Sequence, residues 1–207
     1  MFIEKLLTEP VYFFRYIIIL IVSIVIHELA HGFAAIGQGD DTPERLGHIT
    51  PDPIVHMGPA SLIMLCFMGM AWGQMPVNPA NFRHRWSDLW VSAAGPLSNF
   101  ALSTIACLLF VLADTKGLPL LSPDFLWMLA IVNMLLFFFN MLPIPPLDGF
   151  TVFSEIFPGL KPMREGPIGI FLLVIVWTVP AVNWLLMDVL TRGTVKSIVR
   201  VFGGLVA

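Results

Sequence analysis

The stretch VYFFRYIIILIVSIVIHELAHGFAAI, residues 11–36, decides the fold of this chain. The hydrocarbon core of a bilayer is about 30 Å thick, and a helix needs about 20 apolar residues to cross it. The stretch is longer than that and contains no proline to break it. No small-residue cleavage site follows, so we interpret it as a retained membrane helix and not as a signal peptide.

The composition of the whole chain agrees with a membrane protein. Of its 207 residues, 57% are hydrophobic and 12% are charged, and this charged share is about half of that in soluble proteins. Further apolar runs occupy residues 54–71, 89–113, 125–142 and 168–190. We therefore predict an all-α polytopic membrane protein with about four to six apolar helices. It should form one domain over residues 1–207, with a core over 11–149 and C-terminal helices over 168–206.

The charge, the cysteines and the glycine spacing of the chain indicate which partners and cross-links to expect. The formal net charge is −3 and no basic block occurs, so nucleic acid is not an expected partner. Cys66 and Cys107 lie within apolar runs and are expected to be buried thiols, not a disulfide. The spacing of Gly69 and Gly73 matches a contact between helices, which leaves a homo-oligomer open.

The sequence HELAH at residues 27–31 carries the clearest chemistry. Residues four apart share one face of a helix, so His27 and His31 can reach one metal ion. Zinc lowers the pKa of a bound water to about 7. Glu28, beside the first histidine, is placed to take a proton from that water. Ionisable groups in an apolar span are costly, and they usually mark a functional site.

Two other functions fit the same residues. A transporter could use His27, Glu28 and His31 as a proton relay, and it would bind no stoichiometric metal. A proteolytically silent membrane scaffold could bind zinc and hold client helices without turnover. Metal analysis and a cleavage assay together separate these alternatives from a metallohydrolase.

A catalytic zinc site has three protein ligands and one open position. His48, His56 and His84 lie near prolines or arginine, where we expect interfacial polar residues. Asp148 differs, because it follows a proline-rich break at the end of an apolar run and no cation occurs between it and Lys161. An acid in that setting needs a partner, and a metal ion would be one.

The chain resembles a known family. HELAH at 27–31, together with NMLPIPPLDG at 140–149, resembles the paired signature of the site-2 proteases, which are intramembrane zinc metalloproteases of the peptidase M50 type. PVNPANFR at 76–83 and AGPLSN at 94–99 are also similar to family segments. The resemblance covers most of residues 11–149.

The resemblance implies a function and a set of roles. His27, His31 and Asp148 would bind one Zn2+ per chain, and Glu28 would be the general base. The substrates would be transmembrane or membrane-proximal segments of membrane proteins, cut within the bilayer. Asn140 opens the second motif; a contact to substrate or oxyanion and a cap of the broken helix are both open. A compact prokaryotic member would be a multi-pass protein of the cell membrane, with its site nearer the cytoplasm.

Membrane topology restricts the second apolar run. If every later run crossed the bilayer, Asp148 would emerge about 30 Å from the face where the first helix ends, whereas a zinc–ligand bond is about 2 Å long. One run should therefore fail to cross. The run at 54–71 is short and bounded by prolines, so we predict that it is re-entrant or lies along the protein interior.

Overall fold

The computed structural model describes residues 1–116, 122–164 and 168–206, and all regular structure in these ranges is helical. The prediction of an all-α protein is confirmed. The α-helices of five or more residues are α1 (Pro10–Gly37), α2 (Pro53–Met68), α3 (Ser87–Lys116), α4 (Pro123–Asn140), α5 (Asp148–Ile156), α6 (Ile168–Thr178), α7 (Pro180–Trp184) and α8 (Gly193–Val206). Four-residue α-helical turns cover Lys5–Thr8 and Thr42–Arg45, 3-10 helices cover Phe2–Glu4, Pro79–Asn81 and Pro158–Met163, and a π-helix covers Leu185–Arg192.

Three of these helices are long and apolar enough to cross a membrane, namely Pro10–Gly37, Ser87–Thr115 and Pro123–Asn140. The chain divides into two compact units, Met1–Gly95 and Pro96–Ala207. Each unit is described by itself below. A single domain over residues 1–207 stays a prediction.

In the first unit, α2 is short and broken. Its 16 residues correspond to about 24 Å, less than the roughly 30 Å of a hydrocarbon core. Gly58 has a φ of 67° and interrupts the helix directly before Pro59. This length and this break agree with a segment that does not cross, although the re-entrant path remains a prediction.

Gly69 and Gly73 do not lie together on one helix, although their spacing matches a helix-packing motif. α2 ends at Met68, and Gly69 caps it in the left-handed conformation with a φ of 72°. Gly73 lies in the irregular segment that follows. The interpretation of this pair as a helix-packing motif was therefore wrong, and a homo-oligomer stays a prediction without that support.

The second unit has its own apolar core. One cluster of buried residues in this core comes from α3, α4 and α8; its members are Ala106, Cys107, Ala130, Met134 and Val195. Cys107 is a buried free thiol, as expected, whereas Cys66 in the first unit is a free thiol that is only half-buried. The last apolar run breaks after Thr178, and Pro180 begins the next helix, because proline cannot donate the backbone hydrogen bond that would continue α6.

Candidate metal centre

The two histidines of the HELAH sequence come together on α1. His27 and His31 are both buried, and their Nε2 atoms are 3.0 Å apart. Two ligands of a tetrahedral zinc ion with bonds of 2.0–2.1 Å would be separated by about 3.3 Å. The pair is therefore spaced to share one ion through Nε2, as the i, i+4 spacing predicted.

The tautomer of His31 is set from α3. Its Nδ1 lies 2.7 Å from the carbonyl oxygen of Val91. Because a carbonyl oxygen can only accept, Nδ1–H donates this hydrogen bond, and the lone pair of His31 stays on Nε2. A backbone acceptor behind a metal-binding histidine fixes both the ring orientation and the metal-binding nitrogen.

Because Gly95 has no side chain, a space stays open in front of both histidine rings. A Cβ atom added at this position would lie 2.6 Å from Nε2 of His27 and would also collide with Nε2 of His31. Val91 and Gly95 are four residues apart, so one face of α3 supplies both the carbonyl acceptor and the open volume. This volume lies where the two Nε2 atoms would hold an ion, and the nitrogen donors suit zinc.

A different segment covers Glu28. This residue is buried, with 6% of its surface exposed. A Cβ atom on Gly73 would lie 2.7 Å from Cγ of Glu28 and would also collide with Oε1. One turn further along α1, a Cβ atom added at Gly32 would lie 3.0 Å from Cε of Met75. Residues 73 and 75 thus lie against the α1 face that carries Glu28.

A buried carboxylate holds the chain just after α1. Asp40 is fully buried and accepts hydrogen bonds from the backbone N of Thr42 at 3.1 Å and of Asn78 at 2.6 Å. It also accepts from Oγ1 of Thr42 at 2.5 Å and from Nδ2 of Asn81 at 2.9 Å. Burial by itself would raise the pKa of Asp40, but these donors outweigh it and lower the pKa below its usual value.

Further bonds tie the same region together. The carbonyl oxygen of Gln38 accepts from the backbone N of Arg83 at 2.9 Å, and its Oε1 accepts from Oγ of Ser87 at 2.7 Å. The PVNPANFR sequence therefore fastens the end of the helix that carries the histidines. Asp40 was not predicted from the sequence, in which its only signal is an acid directly after Gly39, at the end of an apolar helix.

Two predicted site residues belong to the second unit. Asp148 is the half-buried first residue of α5. Asn140 is the last residue of α4, and its Nδ2 donates to the carbonyl oxygen of Leu136 at 3.0 Å. This bond fits the structural alternative for Asn140. The roles of Asp148 as a ligand and of Asn140 in substrate contact remain predictions.

The other histidines have separate surroundings. The rings of His48 and His56 meet edge to face, with centroids 6.1 Å apart. His56 donates from Nε2 to the carbonyl oxygen of Thr50 at 2.7 Å and is fully buried in α2, and its position at the membrane interface stays a prediction. Burial, and then the proximity of His56, lower the pKa of His48. His84 is exposed.

The family model and the relatives that this chain matches are all named as peptidases or zinc metalloproteases. The model of peptidase family M50 matches residues 15–120 and 118–177. YwhC of Bacillus subtilis (strain 168), which carries a provisional name as a zinc metalloprotease, is 32% identical over 214 residues, covering 98% of this chain and 97% of YwhC. Rip2 of Mycobacterium tuberculosis (strain ATCC 25618 / H37Rv), similarly named, is 29% identical over 180 residues, covering 79% of this chain and 66% of Rip2. No solved structure matches significantly.

Long apolar helices and a buried histidine pair open to a metal define a membrane metalloprotein. The family match, which covers more than half of the residues, makes the class specific: the chain belongs to peptidase family M50. It is a zinc metalloprotease, and its cofactor is Zn2+. The resemblance to the site-2 proteases is thereby confirmed.

Proposed function

We propose that this protease is an endopeptidase that cuts transmembrane or membrane-proximal segments of membrane proteins within the bilayer. The observation that carries the proposal is the position of its histidines. His27 lies about 5 Å beyond the midpoint of α1, and half of a hydrocarbon core measures about 15 Å. If α1 spans the membrane, His27 lies at a depth where only membrane-embedded segments are close.

The proposed ligands are His27, His31 and Asp148. The facing Nε2 atoms of the histidines and the open volume at Gly95 support the first two. Asp148 would supply the carboxylate of a three-ligand catalytic site, which keeps one position open. It is the half-buried first residue of α5.

Glu28 and His31 have different roles in the proposed hydrolysis. When zinc is bound, it supplies a water molecule of lowered pKa and polarises the scissile carbonyl group. Glu28 accepts the proton of the attacking water at its carboxylate and then donates it to the leaving amine. His31 keeps its Nε2 available because Nδ1–H is committed to Val91.

The proposal also includes the location of the enzyme. Three apolar helices of spanning length favour a multi-pass protein, and the relatives named above are bacterial. We place it in a prokaryotic cell membrane with the zinc nearer the cytoplasmic side, as the family resemblance implies. Its partners would be lipid and membrane-protein substrates.

Replacement of Glu28 tests this function. Membrane proteins are compared by mass spectrometry in cells that carry the wild-type chain or Glu28→Gln, and zinc is measured on both purified proteins. We expect fragments that only the wild type produces, with equal zinc in the two proteins. Stoichiometric zinc without wild-type-dependent fragments would instead indicate a silent scaffold, and a wild type without zinc would indicate a proton relay.

A further inference from the structure

The irregular segment that covers Glu28, residues 70–78, is attached to the rest of the first unit through its backbone. Exposure alternates along it, with Trp72 and Gln74 exposed and Ala71, Gly73 and Met75 half-buried. Trp72 has 52% of its surface exposed, so its indole ring contributes little to holding the segment. The position of Gly73 beside Glu28 therefore depends on the hydrogen bonds of its neighbours.

One buried hydroxyl group makes two of these bonds. Oγ of Ser61, in α2, donates to the carbonyl oxygen of Trp72 at 2.7 Å. The backbone N of Trp72 donates back to the same Oγ at 2.8 Å. Ser61 is fully buried. Its hydroxyl oxygen binds both the backbone N–H and the backbone carbonyl oxygen of Trp72, the residue directly before Gly73.

The break in α2 supplies a third bond. In an unbroken helix the carbonyl oxygen of His56 would accept from the residue four positions later. That residue is Ala60, and Gly58, with a φ of 67°, leaves helical geometry between the two. The backbone N of Gln74 donates to the carbonyl oxygen of His56 instead, at 2.9 Å. Bonds on both sides of Gly73 thus attach it to α2, which packs against α1.

We propose that Ser61 is a positioning residue for Glu28, acting through Trp72 and Gly73. This inference rests on the proposed function, in which Glu28 moves the protons. The segment closes one side of the Glu28 carboxylate, while the histidines face α3 on another side of α1. Loss of the Ser61 hydroxyl should therefore disturb proton transfer and leave zinc binding intact.

The test compares two buried serines. Ser103 is also fully buried, and its hydroxyl donates to the carbonyl oxygen of Ala130 at 2.7 Å within the second unit. Ser61→Ala and Ser103→Ala each remove one buried hydroxyl, but only the first removes hydrogen bonds that hold residues 70–78. Ser61→Thr retains the hydroxyl and serves as the rescue variant.

Three quantities are measured on each purified protein. They are zinc per chain, hydrogen exchange of the peptide containing residues 70–76, and the cleavage rate on membranes from cells that carry Glu28→Gln, in which uncut substrates accumulate. We expect Ser61→Ala to keep its zinc, to exchange faster in this peptide and to cleave about tenfold more slowly, since small misplacements of catalytic groups have effects of at least that order. Ser103→Ala should retain wild-type exchange in this peptide and cut substantially faster than Ser61→Ala, and Ser61→Thr should recover most of the rate.

The outcomes separate this inference from the proposed function. Wild-type cleavage with an unaffected Ser61→Ala, or an equal loss of rate in Ser61→Ala and Ser103→Ala, would overturn the positioning role alone. Loss of zinc in Ser61→Ala would also overturn it. If the wild type cuts nothing in these membranes while it holds zinc, the proposed function itself fails.

Discussion

The carbonyl oxygen of Val91 accepts a hydrogen bond from Nδ1 of His31 at 2.7 Å. One turn later on the same face of α3, Gly95 leaves open the volume in front of Nε2 of His27 and His31. A single helix face therefore orients one proposed ligand and leaves room where the proposed ion would lie. Because the acceptor belongs to the backbone, the arrangement depends on the register of α3 and not on the side chain of Val91.

The first prediction concerns the volume at Gly95. In Gly95→Ala the added methyl group would take the space that the ion needs, so we expect zinc per chain to fall at least tenfold, as measured by mass spectrometry of the purified protein. Gly37→Ala is the matched control, because a Cβ atom at the end of α1 meets nothing within 4 Å. Full zinc occupancy in folded Gly95→Ala would contradict the placement of the ion between the histidines.

The sequence predicts part of this centre and not the rest. Pairing of His27 with His31 depends only on helical periodicity, so five consecutive letters are enough to predict it. The contacts of Val91 and Gly95 join residues at least sixty positions apart, and they depend on how α3 packs. AGPLSN could be matched to family segments, but its letters do not say which atoms Gly95 faces.

The second prediction concerns Asp40. Asp40→Asn places an amide group among donors that now bind a carboxylate, and we expect a loss of about 1–3 kcal/mol in the free energy of unfolding at pH 7. Asp41→Asn is the control, because Asp41 is exposed and contacts Arg45 only at 3.4 Å; its effect should stay within about 0.5 kcal/mol. Denaturant titration of the detergent-solubilised protein measures both.

The pH dependence of this loss has a definite sign. Hydrogen bonds lower the pKa of Asp40 in the folded protein, whereas in the unfolded chain it is about 3.9. The stabilisation is complete above the unfolded value and is lost as the pH falls through the folded one. The difference in stability between wild type and Asp40→Asn should therefore narrow below about pH 4. A constant difference at every pH would show that the charge of Asp40 is not involved.

The third prediction concerns Asp148. Asp148→Ala should lower zinc affinity by at least about tenfold, measured by competition with a chelator, because a ligand is removed. The control is Asp124→Ala, since Asp124 is also an acid in the first turn of a helix and shares the interaction with the helix dipole. Equal zinc affinity in Asp148→Ala and wild type would remove Asp148 from the ligand set.

Membrane topology was also only partly predictable. Short length and prolines indicated that the run at 54–71 differs from the other apolar runs, and α2 is indeed short and broken at Gly58. The function of the break was not visible in the sequence, since the carbonyl oxygen of His56 finds its donor in Gln74, beyond the end of the helix. Likewise, Gly69 and Gly73 have the spacing of a helix motif, but α2 ends before both.

The fourth prediction concerns two buried amides in the second unit. Nδ2 of Asn99 in α3 donates to Oδ1 of Asn133 in α4 at 3.0 Å, and both residues are fully buried. Hydrogen bonds between membrane helices contribute about 0.6 kcal/mol on average and up to about 1.7 kcal/mol. A double-mutant cycle of Asn99→Ala and Asn133→Ala, followed by unfolding in mixed detergent, should give a coupling energy in this range, because the two residues share one bond. Additive effects would show that each amide is stabilised mainly by its other neighbours and that this bond does not join α3 to α4.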